Sequence, residues 1–293
     1  MARDTTDLTR VENRQQLVEW LEKGCKPRDE WRIGTEHEKF GFYANDYSPV
    51  PYEGENGIRA LLEGMRQELG WEPILDEGRI IGLADPEGKG AISLEPGGQF
   101  ELSGAPLSNI FETCRESNAH LATVKKVALP LGIAFLGVGG SPKWSLEETP
   151  RMPKSRYAIM SRYMPKVGSR GLDMMYRTAT IQTNLDFSSE ADMRLKVQVS
   201  KRLQPLASAL FARSPFTEGK PNGLLSWRSA VWLDTDNQRG GFQAFMLDKD
   251  FSFERYVDWA LDVPMYFVIR QGRYHDCTDV TFRQFMAGAL KDR

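Results

Sequence analysis

Glu36 and Glu38 stand two residues apart within Gly34–Phe40, and Glu95, Gln99 and Glu101 recur at even spacing within Ser93–Leu102. Residues i and i+2 of an extended strand share a face. The first pair therefore projects together, the second set has matching parity on another strand, and four carboxylates can converge. Like charges at close range raise one another's pKa unless something positive lies between them. Hard oxygen ligands of this kind suit Mg²⁺ or Mn²⁺ holding the phosphates of a nucleotide, which points to an ATP-driven reaction. A lone E-x-E also fits the solvent face of an antiparallel edge strand. Here Trp31, Ile33, Phe40 and Phe42 are apolar on both parities, which predicts a strand buried at its ends, and a buried carboxylate needs a partner.

Other chemistries lack their residues. Gly137–Lys143 is rich in glycine but has no G-K-[ST] ending, and Pro142 removes a backbone donor where a phosphate needs one, so a tight turn is expected. No G-x-S-x-G elbow or H-E-x-x-H motif supports a hydrolase or a zinc protease. Cys25, Cys114 and Cys277 lie far apart with no C-x-x-C spacing, and His37, His120 and His275 do not cluster beside them, so no zinc site is expected. The cysteines read as reduced packing residues.

With 293 residues, 41% of them hydrophobic, the chain can bury a sizeable core. Its net charge is -2 with both signs interspersed, the opposite of a nucleic-acid footprint. The most apolar stretch, Val127–Gly140, is interrupted by Pro130 and glycines and falls short of the ~20 residues of a membrane helix. The polar, acidic start Met1–Asp7 does not read as a signal peptide. No nucleic acid, no membrane and a cytoplasmic location are the expectations.

The elements that must hold the carboxylates follow from periodicity. Thr9 and Glu12 predict a capping box for a first helix with Val11, Leu17, Val18 and Leu21 on its apolar stripe and Gly24 as its stop. Ile58, Leu61, Leu62, Met65 and Leu69 predict a second helix ending at Gly70. Short strands are expected around Ile74 and Ile80, a bulge or bend at Gly97–Gly98, a long helix from about Ser108 to Leu129, and a buried strand Ile133–Val138. Met174–Phe187 alternates cleanly, with Thr178, Thr180, Gln182, Asn184 and Asp186 on a wet or cavity face and Ala179, Ile181, Leu185 and Phe187 toward a core. Ser189 and Asp192 cap a helix running toward Arg213 with a kink near Pro205. A helix at Phe253–Leu261, a strand at Met265–Arg270 and a last helix from Thr281 complete one α+β domain, 1–293, built on an antiparallel sheet.

Together with the two acidic segments, Met152–Tyr157, Gly171–Met175, Thr180–Met193 and Ser214–Gly223 closely resemble glutamate-cysteine ligase of the plant and alpha-proteobacterial type over nearly the whole chain. The resemblance implies the glutamine-synthetase-like fold, a curved antiparallel sheet with flanking helices that cups ATP and metal ions. It implies that ATP phosphorylates the γ-carboxylate of glutamate and that the amine of cysteine attacks the acyl phosphate, the first step of glutathione synthesis. Phosphoryl transfer depends on positioning and charge neutralisation rather than on a protein nucleophile, which agrees with an acidic cage and no nucleophile motif. By the same resemblance Glu36, Glu38, Glu95 and Glu101 match metal-binding positions, and Gln182 and Asn184 match the cavity face near metal and substrate. Arg156 and Arg228 match arginines that hold substrate carboxylates, a task suited to the planar guanidinium. Tyr266 matches a residue near the cysteine site, and Glu36, Glu38 and Arg228 are implied in catalysis. Mg²⁺, or Mn²⁺, and ATP as co-substrate complete the set.

The sequence ends at Arg293, whereas members of the family continue through an E-M-R-G-A-D segment that adds a metal-binding glutamate and a phosphate-facing arginine. Cys114 and Cys277 match positions that form disulfides in the plant enzymes with partners at or beyond this end. The resemblance therefore leaves three readings in play: the ligase itself, a carboxylate-amine ligase for another amine, and a weakly active or non-catalytic relative that retains ligand binding.

Overall fold

The computed structural model describes residues 9–290; the segment Met1–Asp7 lies outside them. Strand β1 (Ile33–Tyr43) is the axis of the main sheet. Along one edge its Glu36–Phe40 pairs with β5 (Gln99–Ser103), from which β4 (Ala91–Leu94), β3 (Arg79–Ala84) and β2 (Glu72–Asp76) continue outward. The opposite edge is shared: β7 (Ile181–Leu185) lies against Ile33–His37 and β6 (Ile133–Leu136) against Phe40–Tyr43. Every pairing in this seven-stranded sheet is antiparallel.

Residues α2 (Ile58–Leu69) and α3 (Ile110–Ala128) cover one face, burying Leu61, Leu62, Met65 and Val124 against Leu83, Ile92, Leu94 and Phe100. Gly70 closes α2 in the left-handed region at φ 68°, a conformation that costs glycine nothing. A second cluster joins α1 (Arg14–Glu22), the first turns of α6 (Glu190–Leu210) and α8 (Phe253–Asp262) through Val18, Met193, Val257 and Leu261. A third joins α4 (Arg156–Val167) and α5 (Gly171–Arg177) through Tyr157, Met164, Met175 and Tyr176. Short hairpins β8 (Phe216–Thr217)/β9 (Lys220–Pro221) and β10 (Phe267–Arg270)/β11 (Arg273–Asp276) lie apart from the main sheet.

Three local expectations need correction. The cap of α1 is Asn13, whose side chain accepts from the Gln16 amide while the Gln16 side chain reaches back, so the helix starts after Thr9 and Glu12 and leaves Val11 exposed. The second acidic segment is two strands, not one: the Glu95 and Gly98 amides close a hairpin onto Gln99 and Glu95 carbonyls, so Gly97–Gly98 is a turn between strands rather than a bulge or bend within one. Met174–Arg177 is helical, and the short β7 that follows exposes Ile181 and Leu185 instead of burying them. Pro205 sits within α6, which continues to Leu210.

Candidate active site

The hairpin brings the carboxylates together by a route that strand parity alone does not describe. Glu38 pairs directly across from Glu101, and Glu101 across from Ser93, so the three share one face in adjacent strands. The Ser93 hydroxyl lies 3.0 Å from Glu101 Oε2 and 3.1 Å from Glu95 Oε1, with one proton to give to two carboxylates. Ser103 donates to the other Glu101 oxygen at 2.5 Å, and Tyr157 donates to Glu95 at 3.3 Å. Glu38 accepts the Thr180 amide at 2.9 Å. Burial, then the charges of Glu95 and Glu101, push the Glu38 carboxyl up to about 8. Burial also raises the Glu95 carboxyl, against the pull of Lys154, whose ammonium is 3.9 Å away, and of Arg156 at the start of α4. Glu36 lies farther toward β7, where Gln182 and Asn184 both donate to its carboxylate, Asn184 at 3.2 Å.

Arg228 approaches this face from α7 (Trp227–Trp232). Its amide donates to Ser214 Oγ at 3.0 Å, its guanidinium lies 5.7 Å from the Trp232 ring, and its charge acts on Glu38. Its Nε is buried with no hydrogen-bond partner. The glycine run explains how the helix comes so close. A Cβ on Gly139 would sit 3.4 Å from the Arg228 side chain, and one on Gly140 would sit 2.8 Å from the Trp227 ring, so this turn serves packing, as expected of a loop without phosphate-loop chemistry. Arg177, which the sequence did not single out, lies over the Trp227 ring at 5.1 Å and pairs with Asp173 and Glu218 at 3.1 and 3.2 Å. It braces the tryptophan next to Arg228. Only the pairing of distant segments reveals it, because an arginine at the end of a helix carries no signal of its own.

Two of the singled-out residues are tied down within the fold. The Gln99 side chain is a latch: it accepts the Gly97 amide and donates to the Met175 and Thr178 carbonyls at 3.2 and 2.6 Å, tying the hairpin to α5. Tyr266 packs with Tyr163 and Met164, donates to Asp236 at 3.0 Å and lies under the Arg239 guanidinium at 3.6 Å. Its hydroxyl thus belongs to the Asp236–Arg239 network.

Among the described residues, no group of three His, Cys, Asp or Glu side chains stands as a ready set of metal ligands. The donors on the sheet face nevertheless fit a hard cation in type and charge: they are carboxylate oxygens, and burial, with the charges of neighbouring carboxylates added, raises the pKa of Glu38 and of Glu95. No cysteine is in a disulfide among the described residues; Cys114 is exposed and Cys277 buried.

The sheet face thus gathers carboxylates beside a half-buried arginine whose Nε has no partner. The chain belongs to glutamate-cysteine ligase family 2, whose sequence model matches residues 32–288. It is 55% identical over 287 residues to glutamate–cysteine ligase A, chloroplastic, of Oryza sativa subsp. japonica, covering 98% of this chain and 57% of the rice protein. It is 58% identical over 277 residues to the chloroplastic glutamate–cysteine ligases of Brassica juncea and Arabidopsis thaliana, covering 94% of this chain and 53% and 52% of those proteins. The chain thus spans a little over half the length of these relatives. The cytoplasmic expectation is overturned, since these relatives are chloroplastic proteins; a polar start and interspersed charge do not encode a compartment. No helix among the described residues is long and apolar enough to cross a membrane.

Proposed function

We propose that residues 1–293 form one ATP-dependent carboxylate-amine ligase domain of the glutamine-synthetase-like kind, which makes γ-glutamylcysteine from glutamate and cysteine. The observation that carries this reading is the pairing of Glu38, Glu95 and Glu101 on one sheet face with Arg228, whose Nε is buried without a partner. An unpaired buried guanidinium nitrogen is costly unless an anion completes it.

In the proposed reaction the γ-phosphoryl group of ATP moves to a γ-carboxylate oxygen of glutamate, leaving ADP. The amine nitrogen of cysteine then attacks the acyl carbon, phosphate departs with the electron pair of the broken C–O bond, and the amine loses a proton. Glu38, Glu95 and Glu101, with Glu36 toward β7, would hold Mg²⁺ or Mn²⁺, which when bound screens phosphate charge. Gln182 and Asn184 orient Glu36. Arg228 binds a substrate carboxylate, as does Arg156 beside Glu95. Tyr266 lines the cysteine side through the Asp236–Arg239 network.

Calorimetric titration with ATP and Mg²⁺, run alongside phosphate release with glutamate and either cysteine or other amino acids, tests the reading. Binding with cysteine-dependent release supports it. Release driven better by another amine moves the chain to a different ligase, binding without turnover leaves a binding protein, and no binding overturns the assignment of the face.

A further inference from the structure

The β2–β3 hairpin, at the far side of the sheet from β1, reaches back to the acid face through one side chain. Its two strands turn through Glu77 and Gly78, both with positive φ (49° and 78°), and Asp76 stands across from Arg79. This two-residue turn matches the twist of paired strands and favours glycine or asparagine over the glutamate found here. The register slips between Ile74 and Leu75, where β3 steps from Gly82 to Ile80. Such an irregularity re-aims the residues that follow it, and Asp76 is one of them.

The Asp76 carboxylate is taken up by the start of α4. Its Oδ2 accepts the Ser155 amide at 2.7 Å, and both of its oxygens lie 3.0 Å from the Ser155 hydroxyl. Ser155 makes no cap with its own side chain, so the helix is capped from a strand 79 positions earlier, and a negative charge suits the positive end of this 12-residue helix. The residues flanking the cap have anchors of their own. Lys154 is buried with its ammonium 3.9 Å from Glu95, and Tyr157 is buried and donates to the Leu94 carbonyl at 3.2 Å and to Glu95 at 3.3 Å. Arg156, between them, is half-buried, with its guanidinium 5.5 Å from the Tyr157 ring. Its backbone leaves directly from Ser155, so the tether fixes the origin of its side chain.

We infer that Asp76 is a positioning residue for Arg156: it ties the first turn of α4 to the β2–β3 turn and so sets where the guanidinium fork meets a substrate carboxylate beside Glu95. A bidentate contact demands a fixed plane and a fixed origin, and a small misplacement of a group that holds substrate is costly. The inference rests on the proposed role of Arg156 in holding glutamate. It predicts a loss for that ligand and not for the nucleotide, whose metal would be held by carboxylates of the sheet itself.

The test is calorimetric titration of the full chain with a non-hydrolysable ATP analogue and Mg²⁺, and then with L-glutamate in their presence. Asp76→Ala should weaken glutamate binding at least about tenfold and analogue binding less than about twofold, with the circular dichroism unchanged. Asp76→Asn, which keeps the shape of the cap and loses its charge, should weaken glutamate alone by about threefold, and it carries the test if Asp76→Ala does not fold. In an Arg156→Lys background, where the fork is gone, Asp76→Ala should cost glutamate less than about threefold, because residues that act through one another do not add. Unchanged glutamate affinity, equal losses for both ligands, or the full tenfold loss in the Arg156→Lys background would each overturn the inference. An unaltered chain that binds the analogue but no glutamate would overturn the proposed function, and the inference with it.

Discussion

Strand β1 sends Glu36 and Glu38 to one side of the sheet and His37 and Lys39 to the other, and the two faces treat their charges in opposite ways. On the helix side the two titratable groups that β1 sends there, His37 and Lys39, find partners within the fold. The Lys39 ammonium donates to the Phe100 carbonyl at 3.2 Å and to His120 Nε2 at 2.8 Å, and His37 meets Ser117 at 3.2 Å. Burial lowers Lys39 to about 8, and burial with the charges of Lys39 and His37 lowers His120 to about 3, so the imidazole is neutral and accepts. On the acid side the carboxylates repel one another and Arg228 keeps an unpaired nitrogen. Titratable groups closed among themselves, like Lys39 with His120, serve the fold, whereas a cluster of like charges beside an open arginine nitrogen suits a ligand.

The comparison breaks first at the carboxylates. Glu38→Gln and Glu101→Gln should each weaken Mg²⁺-dependent ATP binding by at least about a hundredfold, beyond the range of groups that merely support a ligand, with the fold retained. Calorimetry beside circular dichroism reads this, and unchanged affinity in both variants sinks the assignment. Arg228→Ala should cost about 2–5 kcal/mol in binding of an amino-acid substrate and less for ATP, because it removes one side of a desolvated charge pair. Equal losses for both ligands would make Arg228 structural.

The helix face is sharpened by pH. The folded pKa of His120 lies below its unfolded value near 6.5, so the unfolded chain takes up a proton that the fold refuses. Stability is therefore complete above about 6.5 and declines as pH falls toward 3, by roughly 2–4 kcal/mol. Urea denaturation as a function of pH should show this slope, and His120→Phe should flatten it. A smaller effect concerns the outer side of α3: Cys114 should alkylate in the native protein and Cys277 only after unfolding, with no disulfide in the intact mass. A Cys114–Cys277 link would contradict the packing.

What could be read in advance follows the range of each interaction. The parity of Glu36 and Glu38 is local, and it holds in β1. Glu95, Gln99 and Glu101 share a face, but through a hairpin in which Ser93 stands across from Glu101; the Gly97–Gly98 signal marked the bend without telling a bulge from a turn. The alternation of Ile181–Leu185 correctly turns Gln182 and Asn184 toward Glu36, yet predicts a core behind them that the described residues do not supply. Arg177 on Trp227 and Lys39 on His120 join segments 50 and 81 positions apart, and no window of sequence contains such a contact. Arg156, Arg228 and Tyr266 were visible only through resemblance.

The central claim is that ligand chemistry belongs to the acid face of β1 and not to the helix face behind it. Titration of Mn²⁺ followed by electron paramagnetic resonance, on the unaltered chain, on Glu38→Gln/Glu101→Gln and on His37→Ala, tests it most directly. The account predicts that the free-ion signal is quenched by the unaltered chain and by His37→Ala, and persists with the double variant. Quenching by the double variant equal to that of the unaltered chain, or loss of quenching in His37→Ala, would contradict it.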